Sequence, residues 1–435
     1  MKPAGRNNGS LTRRGLLARG AALAAAPYFV PSAALGKDGR PAPSERIVCG
    51  GIGLRNRGGH DLRWLLTHPE VQFVAICDIR RDQRDKVKDL VDNHHGNKDC
   101  KTYRDLREYL PSRPDIDVML IATGDRWHAL ASMMAMKAGK DVYCEKPGTL
   151  AIADGQALVK TAERTGRIFQ TGTQRLSEAK FAFANELVRS GRLGKVHTVY
   201  AHLASWTPLP RFDWLEEQPL PPVDEIDWDM WLGPCPWRPY NKRYVDGGWR
   251  GFYDFHSGDI GEWGSHTIVQ CQDAIGCRDT NPIEYIHPGN DTGEDMELRY
   301  ANGVKMILTR KGWHGSCGVR YVGTEGWVSI ADGYLAPEVS SPELLSEFDS
   351  IVAGYSARTQ RTLNHMTHFL DCVKTRRQSV SNAVVAHRGM GTCHGANISL
   401  LLGRSLKYDP VKEEFINDPE ANRLRRRSWR QPWHV

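Results

Sequence analysis

The sequence predicts an α/β unit with a doubly wound parallel sheet, followed by an α+β unit with a large open, mostly antiparallel sheet. Three observations carry this. From Arg46 to about Gly194 short apolar runs alternate with helix-patterned segments, as in a parallel sheet whose crossovers are helices. From Val196 strand-like runs recur without helices between them, which is how antiparallel neighbours connect. At 435 residues the chain is long enough for two or three domains with their own cores.

The first 36 residues stand apart from the otherwise ordinary soluble composition of 40% hydrophobic and 25% charged residues. Ser10-Leu11-Thr12-Arg13-Arg14-Gly15-Leu16-Leu17 sets two arginines before an Ala-rich apolar run reaching Val30, and Ser32-Ala33-Ala34 offers small residues for cleavage. This predicts a twin-arginine export signal over 1–36 and a periplasmic protein exported folded, with no membrane span after cleavage. The signal's five basic residues account for most of the formal charge of +7, leaving about +2, so nucleic acid is not an expected partner. The arginines at 423, 425, 426, 427 and 430 read as a solvated or subunit-contact surface. Ten cysteines without a Cys-x-x-Cys pair read as buried thiols rather than metal ligands.

Within the first domain, 46–194, strands are expected at 47–52, 71–77, 117–122, 141–144 and 167–170. Helices are expected near 58–67, 80–93, 103–110, 126–138 and 152–165. The turn after the first strand, Gly53-Leu54-Arg55-Asn56-Arg57-Gly58, has the position of a dinucleotide-binding loop, with Gly51 and Gly53 as an alternative glycine pair and Arg55 where a glycine is expected. Asp78 ends the second strand 25 residues after Gly53, where an acid accepts hydrogen bonds from a ribose. Arg80 and Arg81 follow and suit a 2′-phosphate, so NAD and NADP both stay open. The fifth strand runs into Glu145-Lys146-Pro147, which lifts a lysine out at the sheet's carboxyl edge, where ligands of such sheets collect.

The second domain, 195–407, opens with a strand at 196–203 and a long irregular stretch, then strands near 282–287, 295–300, 303–310, 317–323 and 326–330. The irregular stretch holds Trp206, Trp214, Trp228, Trp231, Trp237 and Trp249, rings that either anchor the loop or stack on a sugar. A helix capped by Ser257 or Asp259 is expected to reach Ala274. It aligns Asp259, Glu262, His266, Gln270 and Asp273 on one face and Ile260, Trp263, Thr267, Cys271 and Ala274 on the other. No Lys or Arg falls between Arg250 and Arg278, which favours an active-site wall over a solvated face. Helices near 360–375 and 383–402 precede a surface arm, 408–435.

The strand-one glycines, Asp78, Ala122-Thr123-Gly124-Asp125-Arg126-Trp127-His128, Glu145-Lys146-Pro147, Gly172-Thr173-Gln174, the run Gly258 to His266, Gly323 to Trp327 and Pro432-Trp433 together resemble the Gfo/Idh/MocA oxidoreductases over roughly 46–435. The resemblance implies a Rossmann domain, a second open-sheet domain and a tightly bound NAD or NADP. It places the cofactor against Gly51, Gly53, Arg55, Asn56, Arg57, Asp78, Ile79, Arg80, Thr123, His128, Glu145, Lys146 and Gln174. It implies Lys146 and His266 as catalytic groups, with Glu262 where the family has aspartate. Arg55 and Gly148 are further departures.

Alcohol oxidation needs a base while hydride leaves the adjacent carbon, and His266 suits that task, with Glu262 one turn before it to hold the imidazole and Lys146 to polarise the reacting oxygen. The spacing of these groups also permits a divalent cation, but the reading carries no metal. Asp259, Trp249 and Tyr253 are the expected substrate contacts. The expected function is a periplasmic oxidoreductase acting on a sugar or polyol CH–OH with a retained dinucleotide. The alternatives are a redox-neutral NAD-dependent glycosidase working by oxidation, elimination and re-reduction, with Tyr240, Tyr244 or Tyr253 assisting, and a non-catalytic sugar-binding relative. An open sheet in the second domain predicts a homodimer or homotetramer by face packing.

Overall fold

The computed structural model describes residues 41–203, 210–289, 295–310, 318–333 and 336–433. The signal-like segment 1–36, Trp206 and Cys317 lie outside these residues. The chain divides into a leading unit ending at Arg46, described only from residue 41, and a compact unit Ile47–Val435 that carries all that follows.

The compact unit begins with β1 (Ile47–Ile52), α1 (Arg57–Leu66), β2 (Val71–Cys77), α2 (Arg81–His95), β3 (Lys101–Tyr103) and α3 (Leu106–Ser112). It continues through β4 (Val118–Ile121), α4 (Asp125–Lys137), β5 (Asp141–Cys144), α5 (Ile152–Thr165), β6 (Phe169–Thr171) and α6 (Ala179–Arg189). The six strands pair in parallel in the order β3-β2-β1-β4-β5-β6. The order reverses at β1/β4, the switch point at which such a sheet opens a crevice at its carboxyl edge. Central strands are apolar throughout, β4 and β5 being buried at every residue, because helices cover both faces.

The second half runs β7 (Val196–His202), α7 (Trp228–Leu232), α8 (Gly258–Ala274), β8 (Glu284–Ile286), β9 (Met296–Arg299), β10 (Lys305–Thr309), β11 (Gly318–Gly323), β12 (Trp327–Ala331) and β13 (Glu338–Val339). There follow α9 (Pro342–Ser346), α10 (Phe348–Thr359), α11 (His365–Thr375), α12 (Ala383–Leu402), β14 (Leu406–Asp409), β15 (Glu414–Phe415) and α13 (Pro419–Arg423). Nine strands form one sheet, β13-β12-β11-β7-β10-β9-β8-β14-β15, antiparallel except where β10 runs parallel to β7. Among the described residues no helix is long and apolar enough to cross a membrane.

One boundary differs from the sequence reading. The segment after 407 is no plain surface arm: β14 and β15 extend the large sheet, and Trp433, 4% exposed, meets Trp127 edge-on at 4.9 Å under Arg107. The late helix α11 covers the outer face of the parallel sheet, with Phe369 5.6 Å from Tyr143 of β5. The carboxyl-terminal half thus completes the amino-terminal core.

Candidate active site

A cavity of about 320 Å³ opens at the carboxyl edge of the parallel sheet. The turns after β1, β2, β4 and β5 form one wall, and Met230, Trp231, Val245, Trp249 and Arg250 with Glu262 of α8 form the other.

The glycine turn is shaped by Gly53, whose φ of 69° is left-handed and whose missing Cβ would stand 2.5 Å from Thr123 Cγ2. A side chain there would be strained and would fill the cavity floor. Gly51 does not reach the cavity. A Cβ on it would strike Leu54 and Phe73 at 2.5 and 2.9 Å, so its smallness serves packing beneath the turn. Arg55 leaves the turn open, because its Nη1 reaches across to donate to the Val245 carbonyl at 2.9 Å. Asn56 precedes α1, and Arg57 sets its guanidinium between Asp61 (3.0 Å) and Glu145 (3.5 Å).

Asp78 lines the cavity beside Ile79, and its Oδ1 accepts the Arg80 amide at 2.9 Å. Burial dominates its ionisation and lifts its pKa to about 6 against the pull of that amide and of Arg80 and Arg84. The Arg80 guanidinium is engaged by Asp82 at 2.7 Å and Asp246 at 3.2 Å.

At the end of β5, Lys146 Nζ lies 2.7 Å from Glu262 Oε1, closing an ion pair between the parallel-sheet domain and α8. Glu145 Oε1 is held by Gln174 Nε2 at 2.9 Å, and the same amide donates to the Tyr143 hydroxyl. Gln174 therefore sits behind Glu145 and does not line the cavity. His128 lines it but faces two backbone carbonyls, Pro147 at 2.7 Å and Thr123 at 3.1 Å, tying the lysine turn to the β4 turn.

Glu262 does not hold His266. Its second oxygen accepts from His256 Nε2 at 3.2 Å, and Arg250 Nε stands 3.7 Å away. His256 Nδ1 accepts the Gly251 amide at 3.1 Å, which fixes the tautomer and makes Nε2 the donor. Burial raises the Glu262 pKa, but the His256 hydrogen bond and the Lys146 charge outweigh it and hold the carboxyl well below its usual range. His266 sits one turn further along α8, off the cavity wall. Burial, then Arg175 and Lys146, push its pKa well below the ordinary imidazole value, and its Nδ1 has no partner among the described residues.

Most of the polar face of α8 is internal. Gln270 Nε2 donates to Asn185, and Asp273 meets Arg189 and Arg278 at 3.1 and 3.2 Å, so this face docks α6 rather than lining a site. Ser257, the residue before α8, donates its amide and hydroxyl to Asp125 Oδ2 at 3.1 and 3.0 Å, a second bond between the domains. Asp259 and Tyr253 fall outside the cavity. Tyr253 lies under Arg427, 4.2 Å from its ring, because the carboxyl-terminal segment covers it. Trp249 does line the cavity.

Asp125, His256 and Glu262 place one ligand atom each within 4.8 Å of one another. The donor set is committed elsewhere: Asp125 to Ser257, His256 through its Nε2 proton, and Glu262 to an ammonium. A cation there would face the Lys146 charge.

The irregular segment is a strap across the β2 edge. Asp227 N donates to Ile79 O at 3.2 Å, Arg81 N to Glu225 O at 3.1 Å, and Arg84 bridges the Asp78 and Asp224 carbonyls at 2.7 and 3.1 Å. Trp228 stacks on Trp231 at 4.7 Å, with Tyr240 and Tyr244 in the same cluster, so these two tyrosines build the strap and do not face the cavity. Trp214 and Trp237 are exposed. Sequence reasoning gave no role to Asp125, Arg126, Arg250 and His256. The first two stood within a motif already singled out, whereas His256 lies in a turn without periodicity.

A model of the Gfo/Idh/MocA oxidoreductase family's NAD-binding Rossmann fold matches residues 47–173, and one of its C-terminal alpha/beta domain matches 185–435. A myo-inositol 2-dehydrogenase of Thermotoga maritima is 28% identical over 177 residues, 41% of this chain and 47% of that protein. A glycosyl hydrolase family 109 protein of Shewanella sp. strain MR-4 is 30% identical over 206 residues, 44% of each. The chain therefore spans about half the length of these curated relatives. In fold it is similar to the solved myo-inositol 2-dehydrogenase of Lactobacillus plantarum, at a TM-score of 0.56 and 18% identity over 84% of this chain and all of that one. With the second model alone covering more than half its length, the chain belongs to the Gfo/Idh/MocA family of oxidoreductases, built on an NAD-binding Rossmann domain.

Proposed function

We propose that the protein oxidises a CH–OH group of a sugar or polyol using a tightly held dinucleotide, after export to the periplasm by the twin-arginine route. The observation that carries the reading is the Lys146–Glu262 pair, at 2.7 Å on the cavity wall where the sheet's carboxyl edge meets α8. Export rests on the Ser10 to Leu17 stretch alone.

The cavity fits a dinucleotide on its own terms. Gly53 keeps the floor free of a Cβ, the amino end of α1 follows at Arg57, and Asp78 stands at the end of β2 to meet a ribose. Arg80 is already paired with two carboxylates, which favours NAD over NADP. When bound, a nicotinamide supplies the hydride acceptor. Lys146 would donate to the substrate oxygen and stabilise negative charge developing there. Glu262 aims that ammonium, and His256 fixes Glu262. His266 is held neutral by burial but lies off the cavity wall, so it is given no role on the substrate.

Denaturing the purified protein and weighing what it releases by mass spectrometry tests the reading. Stoichiometric NAD is expected, together with growth of reduced-nicotinamide absorbance when the intact protein meets sugars or polyols. A protein that carries no dinucleotide and binds none on addition would remove the proposal.

The likeness to a glycosyl hydrolase family 109 protein favours a second reading, a redox-neutral glycosidase. Products separate the two, since a glycosidase releases an aglycone with no net change in oxidation state.

A further inference from the structure

Among the described residues, five basic side chains of the cavity are paired with carboxylates: Arg57, Arg80, Arg104, Lys146 and Arg250. Arg55 and Arg126 are not. Arg55 rises from the glycine turn, beside the amino end of α1 where a dinucleotide's pyrophosphate belongs. Arg126 has no such assignment.

Arg126 is 7% exposed and lies with its guanidinium face 3.5 Å from the ring of Trp231. Its Nε donates to the Trp231 carbonyl at 2.6 Å, while its Nη1 is buried without an acceptor. The neighbouring carboxylate, Asp125, is turned to Ser257. Stacking on an aromatic uses the face of a guanidinium, whereas its N–H donors lie in the plane and still require acceptors. Burial pulls the pKa down to about 10, so the group stays charged at neutral pH. Gly124 makes the placement possible, because a Cβ there would lie 2.5 Å from Nη1. A buried charge on a cavity wall with an unfilled donor is half of an ion pair whose other half arrives with a ligand.

We propose that this ligand group is a carboxylate of the substrate, so that the protein acts on a sugar acid, free or glycosidically linked, anchored through Arg126. The proposal rests on the dinucleotide-dependent reading above and narrows its substrate class.

The test is calorimetric titration of the intact, dinucleotide-bearing protein with gluconate and glucuronate against glucose and myo-inositol, with bound dinucleotide quantified in parallel. The acids should bind at least tenfold more tightly than the neutral compounds. Arg126→Gln should abolish that preference without changing dinucleotide content, and Arg126→Lys should restore part of it. Equal or tighter binding of the neutral compounds, or no binding of either acid, overturns the proposal and leaves the oxidoreductase reading intact. Loss of dinucleotide from Arg126→Gln with the acid preference preserved also overturns it, by assigning the guanidinium to the pyrophosphate. If Arg126→Gln does not fold, the wild-type comparison alone decides. Absence of any dinucleotide from the wild type speaks against the oxidoreductase reading, independently of how the acids bind.

Discussion

Among the described residues Lys146 Nζ donates to Glu262 twice, to its carboxylate at 2.7 Å and to its backbone carbonyl at 3.4 Å. The Glu262 side chain spans Lys146 Nζ at 2.7 Å and His256 Nε2 at 3.2 Å. With two of its three N–H donors engaged, the ammonium keeps one for a substrate oxygen. Lys146→Met should therefore lower turnover by roughly 10²–10³-fold, the usual cost of removing a donor aimed at developing negative charge. The dinucleotide should remain bound, since the glycine turn and Asp78 are untouched. Steady-state kinetics with mass-spectrometric measurement of retained cofactor checks both halves. A variant retaining a third or more of wild-type turnover would show that Lys146 does not meet the reacting oxygen.

The strap from residue 210 to 256 closes the cavity over the β2 edge from within the same chain. Arg84 fastens it by donating to two carbonyls, Asp78 at 2.7 Å and Asp224 at 3.1 Å, without lining the cavity. Arg84→Ala should speed dinucleotide release by about tenfold, on the scale of one charge-assisted hydrogen bond lost at a partly exposed joint. Hydrogen exchange should rise across 222–227 while β1 and β4 stay protected. Unchanged release would mean that the strap does not gate the cofactor. This element was also the least legible in the sequence. The parallel strands announce themselves as apolar runs ending in Asp78 and Lys146, and the antiparallel ones follow by succession. The strap instead folds by aromatic clustering of Trp228, Trp231, Tyr244 and Phe255, which leaves no period to read. β3 is too short for a pattern, at three residues. Tyr253 was misplaced for a related reason. Neighbours of a site residue in sequence can face the opposite way, and only packing against the carboxyl-terminal segment decides it.

Across the whole molecule, neutral histidines join the carboxyl-terminal helices to the parallel-sheet domain. His365 of α11 meets the Thr171 carbonyl and the Ser177 hydroxyl, each at 2.8 Å. His394 of α12 meets Thr149 Oγ1 at 3.0 Å, while within the carboxyl-terminal half itself His368 Nε2 accepts the Val380 amide at 3.2 Å, which a proton on that nitrogen would forbid. Burial lowers their pKa values to about 3, 3 and 4 respectively, and pushes His266 down as well. The unfolded chain takes up protons at these sites near pH 6.5 while the folded one does not. Their contribution is therefore complete above pH 6.5 and is lost as pH falls toward 4. Buried Asp61, Asp78 and Asp154 act in the opposite sense, since burial raises their pKa values and the folded chain protonates them first. The lowered histidines, His202 among them, outnumber the raised acids even with Glu178 added, so the unfolded state binds more protons and stability declines as pH falls below 6. Urea unfolding between pH 7 and 4.5 should show that decline. His368→Gln, whose carbonyl can still accept the Val380 amide, should flatten it. A wild-type midpoint that holds or rises toward pH 5 would mean that the histidine joints accept protons in place, and that the two halves are held together chiefly by the Lys146–Glu262 and Asp125–Ser257 contacts across the cleft.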